Sequence, residues 1–244
     1  MGMVKCDIHD RLKLRRTHGF MEDWDAYTSG GLFTTTADGA ASATVGNTSF
    51  GVITLAAVDN TINRQVYVAT TNSIFLIQNN HNLVIEEYIQ FTEAATNKAN
   101  VAIGFMSGVG LASLLDATGE PKASWTGAII YKVPGGTKWK TASSVGTTSN
   151  VSQSDTVAGG SSFAALKIEI EPVSATVAEV TYYVNDVQLK TAGGRPGTSL
   201  IKDQLTYTSA AQMQAFIALK NGSGNAETLL CDYLAWEQLR APLY

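Results

Sequence analysis

Cysteine, charge and long apolar runs are all scarce in this chain of 244 residues. The two cysteines, Cys6 and Cys231, stand near opposite ends and define no disulfide framework. The opening MGMVKCDIHDRLKLRR has no apolar signal core, so nothing in it directs secretion. The N-x-S sequons at Asn47, Asn150 and Asn221 therefore read as polar turns rather than glycan sites. Charged residues make up 16% of the chain, well below the ~25% of ordinary domains, which argues against coiled coils and charged disordered chains. No apolar stretch approaches the ~18 residues of a membrane span.

What is present is a large apolar fraction, 45%, together with 22 Gly and 27 Thr. A chain of this size buries roughly 70% of its unfolded surface, enough for one domain without staples. The net charge of −4 hides an asymmetry. Residues 1–19 carry Lys5, Arg11, Lys13, Arg15 and Arg16 against Asp7 and Asp10, a balance of +3, whereas the rest of the chain is acidic. Nothing in the body interleaves basic with aromatic residues, so no nucleic-acid domain is expected.

The body has a period of two. QVYVAT (65–70) alternates polar with apolar and LVIEEYIQF (83–91) is a longer, partly covered version. The segments 101–106, 128–133, ALKIEI (165–170), EVTYYV (179–184), 213–219 and LLCDYLAWE (229–237) are short, rich in β-branched or aromatic residues and bounded by Gly, Asn, Ser or Pro. Shorter candidates lie at 32–36, 50–55, 73–77 and 138–142. About a dozen strands separated by turn signals predict two packed antiparallel sheets. Pro134-Gly135-Gly136 and Asn185-Asp186 read as hairpin turns. Residues 143–162 and 191–199 are too polar for a core and read as loops; 109–117 (VGLASLLDA) alone reads as a turn of helix.

The order LKIEIE (166–171), AEVTYYV (178–184), Asn185-Asp186 and a short strand at 187–189, closed by LLCDYLAWEQLR (229–240), resembles the back-sheet hairpins and closing strand of concanavalin-like and laminin-G-like jelly rolls. Val187 stands where that family has glycine. The resemblance implies an all-β jelly-roll sandwich over residues 20–244 behind an extended arm at 1–19. EAATNKANVAIGF (93–105), KASWTGAIIYKVPGGTKW (122–139) and the stretch 156–189 are also similar to tailed-phage and prophage virion proteins. That likeness implies a non-enzymatic capsid decoration or cement protein, made in the host cytoplasm and carried on the virion surface. Its implied partners are the major capsid protein and neighbouring copies of itself, most simply as a trimer. The alternative is a carbohydrate-binding or fibre-like receptor-binding module with a glycan as partner.

The search for chemistry favours a protein that is not an enzyme. The glycosidases of this superfamily need Glu-x-Asp-x-x-Glu on one strand, with two carboxyls ~5–5.5 Å apart. Here Glu169 and Glu171 share a face, but no third acid follows and Pro172 ends the strand. Glu86 and Glu87 are adjacent and must point to opposite faces. No serine or cysteine sits in a nucleophile elbow, and Cys231 reads as a small buried hydrophobe. Cys6 and His9 with His18 lack the ligand pairs of a zinc site. Glu22-Asp23-Trp24-Asp25 offers oxygens for calcium but reads more simply as an exposed turn. No metal, cofactor or nucleotide is expected.

Two surfaces remain for partners. In the arm, Ile8, Leu12 and Leu14 alternate with Arg11, Lys13, Arg15 and Arg16, a pattern suited to docking on an acidic capsid or subunit surface. Trp125 and Trp139 flank the Pro-Gly-Gly turn and are expected at a surface, as a subunit interface or a glycan platform. Trp236 alternates into the core.

Overall fold

The period of two organises the chain into strands throughout the computed structural model, which describes residues 17–25, 27–46, 51–58, 61–93, 97–116, 118–159, 162–193, 199–207, 211–222 and 225–239. The strands are β1 (Thr17–Glu22), β2 (Phe33–Ala37), β3 (Ser42–Val45), β4 (Ile53–Ala57), β5 (Gln65–Thr70), β6 (Leu83–Glu93), β7 (Ala99–Met106) and β8 (Trp125–Lys132). They continue with β9 (Lys138–Gly146), β10 (Thr148–Val157), β11 (Ala164–Pro172), β12 (Val177–Val184), β13 (Val187–Gln188), β14 (Lys202–Thr206), β15 (Gln214–Asn221) and β16 (Glu227–Leu239). No helix occurs among the described residues.

All pairings are antiparallel, in two sheets. The nine-stranded sheet runs β13-β12-β11-β6-β16-β4-β3, with β1 on β16 and β14 on β12; the seven-stranded sheet runs β10-β9-β8-β7-β15-β5-β2. Side chains alternate across each strand, so Ile85, Ile168, Val180 and Leu234 of the first sheet meet Val68, Ile103, Ile130 and Ile217 of the second in one core. The all-β sandwich expected from the sequence is the observed architecture.

The seven-stranded sheet is buried on its other face too. Tyr67, Met106, Trp125, Ile129, Tyr131 and Phe216 form a second apolar cluster there with Leu114, which comes from the β7–β8 connection. That connection lies across the sheet as a strap. Its backbone donates to sheet side chains: Val109 N–H to Gln214 Oε1 (3.0 Å), Ala112 N–H to Gln65 Oε1 (3.3 Å) and Leu114 N–H to Tyr67 Oη (3.2 Å). Donors spent on the sheet are not available for helical bonds, and Ala112 turns left-handed at φ 66. Over 109–116 the helical reading therefore gives way to a strap of turns and bends; 117 lies outside the described residues.

Three other expectations change. Of the stretch 143–162, the described residues are mostly strand, in β9 and β10, because their buried hydroxyls find acceptors. Ser143 donates to Asp203 Oδ2 (2.8 Å) and Ser154 to Trp139 O (2.8 Å). Trp125 and Trp139 are not surface aromatics: they are 3% and 2% exposed. Trp125 is roofed within the strap cluster, and Trp139 packs edge-on against Phe91 in the main core. Finally, Thr17–Gly19 belong to β1, paired with Leu239–Glu237, rather than to the arm.

Candidate functional site

The strap closes the outer face of the seven-stranded sheet, and its anchors are buried. Lys220, 1% exposed, donates to Leu114 O (3.1 Å) and Asp116 Oδ1 (2.7 Å). Tyr131 and Lys140 both hold Glu120. Burial pushes the Tyr67 and Tyr131 phenols well above the ordinary range, with Glu120 adding to the effect at Tyr131, so both remain donors.

The outer face of the nine-stranded sheet is open. A groove of about 660 Å³ runs over β11, β12 and β14, lined by Asn82, Glu169, Glu171, Glu179, Thr181, Tyr183, Gln188, Leu200 and Lys202 among others. Register explains the grouping: Glu171 lies opposite Glu179, Glu169 opposite Thr181, and Thr181 opposite Lys202. Like charges directly opposite repel, and Lys202 offsets this by pairing with Glu179. Glu169 accepts from Tyr183 Oη (3.0 Å) and pairs with Lys167 (3.2 Å), whose ammonium sits 4.5 Å from the Tyr183 ring centroid. Beside the groove, Phe163, Tyr88 and Tyr233 stack in a row, with centroids 5.1 and 5.7 Å apart.

Glu169 and Glu171 thus share a face as expected, and Pro172 ends the strand. Glu169 is engaged by a cation and a phenol, and Glu171 is exposed. The Glu22–Asp25 acids turn back on their own backbone: Glu22 accepts from Trp24 N–H and Asp23 from Asp25 N–H. Among the described residues no three His, Cys, Asp or Glu side chains gather as a metal-binding group. Ser143 and Tyr182 both donate to Asp203 Oδ2, at 2.8 and 2.7 Å, within a buried link between the sheets. The arm residues Ile8, Arg11, Leu12, Lys13, Leu14, Arg15 and Arg16, and Cys6 with His9, lie outside the described residues.

The sequence reading missed two features. One is the groove itself, formed only when β14 (KDQLT) aligns with β12; its alternation is short, with Asp203 in the inward phase. The other is Glu87, whose neighbour Glu86 faces outward to Tyr233 while Glu87 is 0% exposed.

No known family profile matches the sequence, and no curated protein matches it. Solved structures do match in shape. The carbohydrate recognition domain of Emp47p gives a TM-score of 0.58 at 8% identity, covering 92% of this chain and 95% of that one. Protein SO2946 of Shewanella oneidensis MR-1, of unknown function, gives 0.57 at 15% identity over 100% of both chains. An endo-1,3-β-glucanase from Streptomyces sioyaensis gives 0.51 at 12% identity, over 93% of this chain and 98% of that one. The chain has the lectin-type β-sandwich fold, which is shared by carbohydrate-recognition domains and glycan-degrading enzymes alike.

Proposed function

We propose that this chain is a non-catalytic recognition module that holds an uncharged glycan in the groove on the nine-stranded sheet. The observation that carries the reading is the groove's composition. Amide, hydroxyl, carboxylate and ammonium groups surround Tyr183 along the open sheet face, the mixture that hydroxyl-rich ligands need. Glu169, Glu171 and Glu179 outnumber Lys202 and the Lys167 paired with Glu169 there, which disfavours uronic or sulfated sugars by like-charge repulsion. Against catalysis stands the state of Glu169, tied to Lys167 and Tyr183, with no partner placed to make one carboxyl an acid and the other a nucleophile.

A glycan array probed with the full chain should give neutral oligosaccharide hits and no acidic ones. Tyr183→Ala should weaken them at least ten-fold, losing the stacking surface. Glu169→Gln and Glu171→Gln should abolish no hydrolysis, because there is none to abolish. Cleavage of a β-glucan that disappears in either Gln variant would overturn the non-catalytic reading.

A second reading, a virion decoration protein, rests on the likeness of residues 93–105, 122–139 and 156–189 to phage virion proteins. It is supported by exposed Val151 and Val157 on edge strand β10, 50% and 67% accessible, since an edge strand with exposed apolar side chains is a ready association surface. In this reading the protein assembles as a trimer and the basic arm docks on the capsid protein. Deleting residues 2–16 should then leave a folded protein that no longer saturates bare capsids; unchanged decoration would refute the arm's role.

A further inference from the structure

One row of the nine-stranded sheet carries two carboxyls, Glu87 fully buried and Glu22 half-buried at the margin of the core. Leu234 of β16 is flanked in register by Glu22 of β1 on one side and Glu87 of β6 on the other. Paired residues of adjacent strands point to the same face, so both acids turn inward with Leu234. Among the described residues, neither oxygen of Glu87 has a hydrogen-bond partner. Glu22 accepts the Trp24 N–H at 3.1 Å. Trp24 itself is 0% exposed and sits at φ 57, a left-handed backbone that a bulky residue adopts only when its surroundings compel it. Its indole packs on Phe33 at 5.0 Å, while Nε1 makes no well-formed hydrogen bond. Cys231, at the β16 bulge, lies near both Trp24 and Glu87.

The charged surroundings are uniformly unfavourable to ionisation. Burial raises the pKa of both carboxyls; Asp23 and Asp25 raise that of Glu22 further, and the Trp24 N–H opposes them. Cys231, raised by its own burial and by Glu87, is the other titratable group of the cluster, with Asp232 beside it. Among the described residues, no lysine, arginine or histidine offsets these effects.

We infer that Glu22, Glu87 and the Trp24 plug form an alkali-released latch that holds β1 on the edge of β16. While both acids carry protons, the row is neutral and Trp24 seals it. Deprotonation of Glu87 places a charge among fully buried side chains, with half-buried Glu22 adding a second at their margin, and the least costly response is for β1 and the Trp24 turn to lift and admit water. The sign follows from the raised values. Latch stability is full below the ordinary carboxylate pKa and is lost as pH rises through the raised one.

Amide hydrogen exchange of the full chain across pH 5 to 9, corrected for intrinsic chemistry, reads this directly. Opening of β1 should rise by up to about ten-fold per pH unit for each linked carboxyl, then level off, while β7 serves as the internal reference. Glu87→Gln should flatten most of that slope and Glu22→Gln the remainder. Glu87→Leu, matching its register neighbours Leu166 and Leu234, gives the same readout if the amide is poorly accommodated. Parallel pH dependence of β1 and β7, or a slope that persists in both Glu87 variants, overturns the latch.

Discussion

Lys132→Met should lower the unfolding free energy by about 3–5 kcal/mol, the usual cost of leaving one member of a buried ion pair alone. The Lys132 side chain is fully buried, with Nζ 2.7 Å from Glu93 Oε1 and 2.9 Å from Ala99 O. Glu93 also accepts the N–H groups of Asn97 (3.0 Å) and Ala99 (2.9 Å). One carboxylate thus gathers the β6–β7 turn, and one ammonium ties it to β8. Methionine keeps the volume and removes only the charge and its donors. Urea denaturation should show a lower midpoint at unchanged slope. Glu93→Gln added to Lys132→Met should recover part of the loss, since no unpaired charge then remains. A loss below about 1 kcal/mol would show that the pair is hydrated and marginal.

The second large effect is expected at Gly127. Its φ is +141, and a Cβ there would stand 2.1 Å from Phe105 O and 2.8 Å from Phe105 C, both backbone atoms. Gly104, on the neighbouring strand, has φ +135 and would place a Cβ 2.3 Å from Ala128 O and 2.8 Å from Ile168 Cδ1 of the opposite sheet. The two glycines let β7 and β8 distort together, Gly127 against the backbone of β7 and Gly104 against both β8 and Ile168 of the opposite sheet. Gly127→Ala combines a conformation that L-residues avoid with a clash against main chain, so a loss of about 3 kcal/mol or more is expected. A midpoint in thermal or urea unfolding within experimental error of the parent would mean that the strands relax freely at this point.

Both effects hang on residues whose importance is invisible to periodicity, and that marks the boundary of what the sequence discloses. Period-two alternation revealed β6, β11, β12 and β16 because one face is apolar and the other more open, and β5 although both of its faces are buried. The Asn185-Asp186 turn was legible for a local reason: the two residues adopt φ 50 and 61, which their side chains tolerate. Edge strand β10 was illegible because its buried serine is satisfied by a distant carbonyl, Ser154 on Trp139 O. β14 was missed because Asp203 occupies an inward position that only Ser143 and Tyr182 make acceptable.

Misplaced aromatics have the same origin. Trp125 and Trp139 flank a turn, which suggested exposure, but the strap and Phe91 cover them. Nothing local announces that the β7–β8 connection will fold back over a sheet. Conversely, the Glu169/Glu171 face was read correctly, since alternation alone decides it, whereas the groove around it needed the register of a strand some thirty residues away. Glu87 was weighed only as half of an acid pair with Glu86; opposite faces excluded that pair and also sent Glu87 into the core.

The groove on the nine-stranded sheet is the centre of the functional account, and its occupancy is directly measurable. Isotope-labelled full chain titrated with an uncharged β-glucan hexasaccharide should show amide shift changes confined to β11, β12, β13 and β14, with Thr181, Tyr183, Gln188 and Lys202 moving together. Saturable changes centred instead on the strap and the seven-stranded sheet, or no changes with any neutral oligosaccharide, would contradict the account.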